Sequence, residues 1–161
     1  MRRACLFAVP AFAANVAVAA CDLPQHHALD FWIGHWVVLD GGKPAAKSRI
    51  ERGPGSCVIV EHYQQDDGYS GTSLSFYDAN LGRWRQTWVD STGAVGEFTG
   101  SASDGAVQFT GETHRADGTR IFRRMRLAAE AGGVRQTSFA SRDGQEWKPH
   151  YELVYVREGA S

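Results

Sequence analysis

From Phe31 onward, short segments of alternating hydrophobic and polar residues are separated by turn signals at nearly regular intervals. Every signal contains glycine, often beside aspartate or asparagine, the residues that best tolerate the positive φ of tight hairpins. The nine signals are Asp40-Gly41-Gly42, Gly53-Pro54-Gly55, Asp67-Gly68, Asn80-Leu81-Gly82, Ser91-Thr92-Gly93, Asp104-Gly105, Asp117-Gly118, Gly132-Gly133 and Asp143-Gly144. They divide the chain into ten candidate strands. This pattern predicts an all-β antiparallel meander of about 8–10 strands, either a barrel or a sandwich.

The first predicted strand begins at Phe31, within the segment Asp30-Phe31-Trp32-Ile33-Gly34-His35-Trp36, which contains a Gly-x-Trp motif. Further motifs follow in order: Gly55-x-Cys57-x-Ile59-x-Glu61, Gly71-x-Ser73-x-x-x-Tyr77-Asp78, Trp84-x-Gln86-x-Trp88-Val89-Asp90, Arg135-Gln136 and Asp143-Gly144-x-x-Trp147. Together they resemble a family of secreted bacterial calycin-like (lipocalin-like) domains of unknown function. The resemblance covers nearly all of the chain after residue 20. It implies a meander closed into a lipocalin-like β-barrel and a location outside the cytoplasm, but no reaction.

The resemblance also implies how the barrel closes. Calycins stack an arginine of a late strand on the tryptophan of Gly-x-Trp, and Trp36 and Arg157 match that pair here. Alternation places Trp36 on the same face as Gly34, and Arg157 on the same face as Tyr155. A cation–π contact is worth about 0.5–2 kcal/mol, so the pair is expected to fix the strand register more than to stabilise the fold.

The N-terminus has the pattern of an export signal, so we expect residues 1–20 to be removed. Arg2 and Arg3 precede a mostly apolar segment, and small residues follow up to Ala20. The apolar run is shorter than the roughly 20 residues that a membrane span needs. We therefore expect a signal peptide at 1–20, an N-terminal arm at 21–30 with a mobile His26-His27 pair, and a barrel domain at 31–158.

Two cysteines, Cys21 and Cys57, remain after that cleavage. In the oxidising periplasm or outside the cell, an even number of cysteines favours a disulfide. The alternative is that Val18-Ala19-Ala20-Cys21 is a lipoprotein signal, in which case Cys21 would carry a lipid anchor and Cys57 would be a free thiol. The predicted location is periplasmic or secreted, with lipid anchoring in the cell envelope as the alternative.

Charge and motifs exclude several functional classes. Residues 21–161 contain 15 Lys and Arg against 18 Asp and Glu, a net charge of −3 that gives no electrostatic basis for binding nucleic acid. The sequence contains no Gly-x-Ser-x-Gly motif, phosphate-binding loop or Cys-x-x-Cys, and its histidines other than His26-His27 are dispersed. We therefore predict no cofactor and no metal site, and we expect a binding protein rather than an enzyme.

Polar residues that share a strand face with large rings are the candidates for a site inside the barrel. Alternation places Gln86 between two tryptophans, and it places Glu61 among apolar residues. The candidate ligand-binding residues are Glu61, Ser73, Tyr77, Trp84, Gln86, Trp88, Arg123 and Tyr151. Glu61 and Arg123 are expected to neutralise one another across the lumen, because an unpaired buried charge is costly. The opposite phase, with Leu74 and Phe76 inward, stays open.

Three functions follow from this set of residues. The first is a small-molecule-binding protein that holds a partly hydrophobic or amphipathic ligand in an aromatic-lined barrel. The second is an enzyme that uses the same cavity, with Glu61 as general acid or base. The third is a structural envelope module without a ligand, in which the inward polar residues form a network that fills the lumen.

Overall fold

The computed structural model of the protein describes residues 21–159, and the predicted signal peptide lies outside the described residues. Ten strands are present: β1 (Gly34–Asp40), β2 (Lys43–Arg52), β3 (Val58–Gln65), β4 (Ser70–Asp78), β5 (Arg83–Asp90), β6 (Val95–Ser103), β7 (Ala106–His114), β8 (Arg120–Glu130), β9 (Gly133–Ser141) and β10 (Lys148–Arg157). Short 3₁₀ helices span Pro24–His27, Asp30–Trp32 and Pro54–Ser56. No helix within residues 21–159 is both long enough and apolar enough to cross a lipid bilayer.

The strands form a closed antiparallel barrel, so the barrel rather than the sandwich is the correct form of the predicted meander. Each strand pairs with the next one in the chain, and β1 pairs with β10 to complete the ring. Each of the nine turn signals connects two consecutive strands. The all-β fold and the upper end of the expected strand number are thereby confirmed.

An antiparallel meander has two distinct ends. The odd-numbered strands finish, and the even-numbered strands begin, at one end; we call it the site end, and it carries the β1–β2, β3–β4, β5–β6, β7–β8 and β9–β10 turns. The other end, the capped end, carries the remaining turns and the start of β1. Large buried side chains fill the capped half, among them Trp36, Trp84, Phe109 and Leu127.

Arg157 closes the barrel at the capped end. It pairs with Trp36 in the β1–β10 register, and its guanidinium carbon lies 3.9 Å from the centroid of the Trp36 ring, as expected. Its Nη1 donates a hydrogen bond of 2.9 Å to the carbonyl of Ile33. Gly34 adopts a φ of +148°, and a Cβ atom at this position would collide with the guanidinium. Glycine is therefore required here both by the backbone conformation and by the stacked arginine.

The N-terminal segment covers the capped end, which corrects the expectation of a mobile histidine pair. β1 begins at Gly34, and the preceding residues form 3₁₀ turns in which Leu29 and Trp32 are fully buried. His26 is also buried, with its ring centroid 5.3 Å from that of Tyr77. The segment is ordered because its apolar side chains are removed from water only when it lies across the barrel.

Two cross-links hold this segment in place. Cys21 forms a disulfide with Cys57, with a Cα–Cα distance of 5.1 Å, and Asp30 forms an ion pair with Arg52 of β2. The disulfide is the first of the two interpretations of the cysteine pair. A sulfur atom in a disulfide has no thiol to carry a lipid, so the two interpretations exclude one another at Cys21.

Candidate ligand-binding cavity

The site end contains a cavity of about 480 Å³, within the range of about 300–1,000 Å³ that is typical of small-molecule sites. Its apolar lining comes from Tyr63, Trp88, Phe98, Met125 and Leu153. Buried polar groups, namely Glu61, Gln86, Gln136 and Tyr155, lie deeper in the barrel and also line it. The lumen is therefore packed in its capped half and hollow in its other half.

Two glycines on inward-facing strand positions help to keep this half of the lumen open. The Trp88 ring lies against Gly71, where a Cβ atom would collide with the indole. The Phe98 ring lies against Gly96, where a Cβ atom would come within 2.7 Å of the ring. Both rings thus lie along the barrel wall instead of projecting across the lumen. Sequence reasoning missed this contribution, although both glycines stand in strands rather than in turns.

Glu61 is the central polar group of the cavity. β3 directs it inward from a position paired with Ile50 and Ser73, and only 4% of the residue is exposed. Its carboxylate oxygens accept hydrogen bonds from Ser48 Oγ at 2.9 Å and Ser73 Oγ at 3.0 Å. Burial raises the pKa of Glu61 to about 7, because the two serines and Tyr155 only partly offset the loss of hydration.

Tyr155 links Glu61 to a second buried side chain, Gln136. The Tyr155 hydroxyl lies 2.8 Å from Gln136 Oε1 and 3.3 Å from Glu61 Oε1. A hydroxyl has one hydrogen to donate, so when it donates to Gln136, its oxygen is available to accept the proton of a neutral Glu61. A carboxyl group with a pKa near 7 beside a cavity can give a proton to a bound molecule or take one from it.

Hydrogen bonds from aromatic residues hold the rim of the cavity together around Asp90. The carboxylate of Asp90 accepts from the Tyr69 hydroxyl at 3.0 Å and from Trp88 Nε1 at 3.3 Å, and Thr92 also donates to it. Burial opposes ionisation of Asp90, but the hydrogen bonds from Thr92, Tyr69 and Trp88 outweigh it and lower the pKa. The Trp88 indole is therefore fixed in orientation at the cavity wall.

Arg123 lines the cavity from β8, but it does not pair with Glu61. The ion pairs among residues 21–159 include neither Glu61 nor Arg123. Glu61 lies deep in the barrel, where serine hydroxyls donate hydrogen bonds to its carboxyl group. Its raised pKa favours the neutral form, which needs no positive partner. Arg123 lies near the site end, where its Nε donates to Thr113 Oγ1 at 3.4 Å. The expectation of mutual neutralisation is therefore wrong.

The structure divides the eight candidate residues between the cavity and its surroundings. Glu61, Gln86, Trp88, Arg123 and Tyr151 line the cavity. Ser73 supports Glu61 by a hydrogen bond. Trp84 and Tyr77 pack against one another at the capped end, with ring centroids 6.3 Å apart, and lie outside the cavity lining.

The inward phase of β4 is settled by burial. Ser73 and Ser75 are buried, while Leu74 is 45% exposed, so the phase with Leu74 and Phe76 inward is excluded. Inside the barrel, Ser75 Oγ accepts a hydrogen bond of 2.9 Å from Gln86 Nε2. Sequence reasoning did not select Tyr63, Phe98 or Gln136 as site residues. Alternation along β3, β6 and β9 is the signal that could have found them.

Comparison with known proteins adds no relative: neither a scan against family models nor a search of curated proteins finds a match for this chain. The chemistry of the site therefore has to be inferred from its own geometry. Within the described residues, no group of three or more His, Cys, Asp or Glu side chains is arranged to hold a metal ion.

Proposed function

We propose that the protein is a secreted calycin-like binding protein that holds a small, partly hydrophobic molecule in the hollow half of its barrel. The observation that carries the proposal is the cavity of about 480 Å³, which has aromatic walls. Its inner end, which we call the polar floor, is formed by the buried groups Glu61, Gln86, Gln136 and Tyr155. Apolar walls supply affinity for a ring or chain, and a few fixed polar groups supply orientation. A lumen filled by side chains throughout would instead favour the structural envelope module.

The polar floor determines which chemical groups the ligand needs at the end that enters the barrel. Glu61 and the Gln86 amide face the cavity, and the serine and tyrosine partners of Glu61 fix its geometry. A ligand that reaches them needs a hydroxyl, carbonyl or amine at that end. The Trp88 and Tyr63 rings meet edge to face with centroids 6.1 Å apart, and both offer aromatic surface to the ligand body.

Two features of the chain support the part of the proposal that places the protein outside the cytoplasm. A disulfide between Cys21 and Cys57 persists in the periplasm or outside the cell and is rare in the reducing cytoplasm. Residues 1–20 have the composition of a signal peptide. We infer from these two features that the mature chain begins at Cys21 and works outside the cytoplasm.

The uncharged dye N-phenyl-1-naphthylamine tests binding in the cavity. We expect it to bind the protein with a rise in dye fluorescence and with quenching of tryptophan emission. Ser138 is buried, lines the cavity and is small, so Ser138→Phe places a ring in the binding space. This variant is expected to bind the dye roughly tenfold or more weakly, a loss of about 1.4 kcal/mol or more.

Thr137→Phe is the matched control for that experiment. Thr137 is the neighbour of Ser138 on β9, and alternation directs it to the outer face of the barrel. This variant should bind the dye like the wild type, and circular dichroism should show both variants folded. Equal dye affinity in all three proteins would contradict binding inside the barrel.

A further inference from the structure

We propose that the cavity is specific for amphipathic monoanions, with the anionic group of the ligand bound by Arg123 and its apolar body lying against Trp88 and Tyr63. This inference rests on the proposed function and assigns to it a class of ligand. It is carried by the Arg123 side chain in the cavity lining, whose buried Nη1 has no hydrogen-bond partner among the described residues, and by the chemistry around it.

The guanidinium of Arg123 is only partly satisfied by the protein. Alternation on β8 places Arg123 on the inward face together with Met125, and the position that pairs with it on β7 is Gly111, which has no side chain. Its Nε donates to Thr113, but its Nη1 is buried and has no hydrogen-bond partner among the described residues. A buried charged donor without an acceptor is costly, and an anionic ligand would remove that cost.

The groups around Arg123 favour an anion. Arg115, in the β7–β8 turn, adds a second positive charge that acts on both Arg123 and His150. Burial, followed by the charges of Arg123 and Arg115, lowers the pKa of His150. At neutral pH the imidazole is therefore uncharged, and His150 supplies a neutral hydrogen-bonding group to the cavity lining. The Tyr151 hydroxyl also lines the cavity, but it donates to Met125 Sδ and accepts from Gln136 Nε2.

The carboxyl groups that line the cavity do not occupy this position. Asp90 accepts hydrogen bonds from Tyr69, Trp88 and Thr92. Of the other lining carboxylates, Asp40 is the last residue of β1 and Asp67 lies in the β3–β4 turn. Burial raises the pKa of Glu61 to about 7, so at pH values well below 7 this carboxyl is protonated and does not repel an anion. The only guanidinium in the cavity lining of the described chain thus forms no ion pair with a carboxylate of the protein.

Two dyes with the same apolar body test the charge specificity. N-phenyl-1-naphthylamine is uncharged, and 8-anilino-1-naphthalenesulfonate differs from it only by one sulfonate group. We expect the wild-type protein to bind the sulfonate about tenfold or more tightly than the uncharged dye, because a charge-assisted hydrogen bond contributes about 1.5–3 kcal/mol. Both affinities are measured by fluorescence titration in the same buffer.

The variant Arg123→Gln should lose that preference, so that the ratio of its affinities for the two dyes falls to about one. Arg126→Gln is the matched control, because it removes one positive charge from the exposed outer face of the same strand. It should keep the wild-type preference. Arg123→Lys retains the charge and should keep part of the preference.

The outcomes separate the two proposals. Binding of both dyes without a preference in the wild type, or with a preference that Arg123→Gln retains, overturns the inference and leaves the binding function standing. The wild-type preference is measured without any variant, so a failure of Arg123→Gln to fold does not remove the test. Failure of both dyes to bind contradicts the proposed function, and the inference falls with it.

Discussion

Replacing Glu61 with glutamine is expected to raise the free energy of unfolding by about 3 kcal/mol at pH 8 and to leave it almost unchanged at pH 4. The pKa of Glu61 rises from 4.5 to about 7 on folding, because the carboxyl group is buried among Ser48, Ser73 and Tyr155. Each pKa unit corresponds to about 1.4 kcal/mol. Glutamine has the shape of the protonated acid and both a donor and an acceptor, so it suits the same partners without a charge.

The sign follows from proton binding. Between pH 4.5 and about 7 the folded protein holds a proton at Glu61 that the unfolded chain has released. Stability of the wild type therefore falls as the pH rises through this window, and no further loss from this group occurs above it. Below pH 4.5 both states are protonated and the penalty disappears. Glu61→Gln has no titrating group at this position, so its stability lacks this dependence.

Urea denaturation at a series of pH values measures the difference. Glu146→Gln is the matched control, because it makes the same charge change at an exposed turn position. Its effect should stay within about 0.5 kcal/mol throughout. A difference between wild type and Glu61→Gln that does not vary between pH 4 and pH 8 would show that the buried carboxyl has an ordinary pKa, and the account of the cavity floor would be wrong.

Removing the disulfide is the second large effect that we expect. The double variant Cys21→Ala, Cys57→Ala should lose roughly 4 kcal/mol of stability on the chain-entropy estimate for a separation of 36 residues. The loss has a structural part as well, because the disulfide anchors the segment that carries Leu29 and Trp32 over the capped end. Thermal and urea unfolding, with tryptophan emission as the signal, measure it.

Chemical reduction provides the control for this prediction. Dithiothreitol should destabilise the wild type and have no effect on the double variant. The intact mass of the purified protein should be that of the chain from Cys21 less two hydrogen atoms, without added lipid. Unchanged stability of the double variant, or a lipid-modified Cys21, would contradict the anchoring of the N-terminal segment by the disulfide.

The sequence predicts the topology well because its signals are local. Each hairpin turn needs a residue that tolerates a positive φ, which is glycine or, less well, aspartate or asparagine. Within each strand, two-residue alternation separates inward from outward side chains. Glu61, Gln86 and Trp88 were identified as inward residues by this pattern alone. The turn signals also predict the number of strands, whereas the closure of the ring through Trp36 and Arg157 was implied by the resemblance to calycins.

The height of a residue along the barrel axis is not a local property. It depends on the stagger of all ten strands, which alternation does not encode. Trp84 and Trp88 lie on one face of β5, yet Trp84 is packed into the capped end and Trp88 lines the cavity. The same limitation explains why Glu61 and Arg123 were wrongly paired. The ordered 3₁₀ turns before Gly34 were missed because their apolar residues are satisfied only by the assembled barrel.

The indole N–H signals in a two-dimensional ¹H–¹⁵N NMR spectrum test the central claim most directly. The five tryptophans report on three places: Trp88 lines the cavity, Trp32, Trp36 and Trp84 fill the capped end, and Trp147 lies under Arg124 on the outer face. Titration with 8-anilino-1-naphthalenesulfonate should shift the Trp88 signal and leave the other four in place. Movement of Trp147 or of the capped-end signals with Trp88 unchanged would contradict a ligand site inside the barrel.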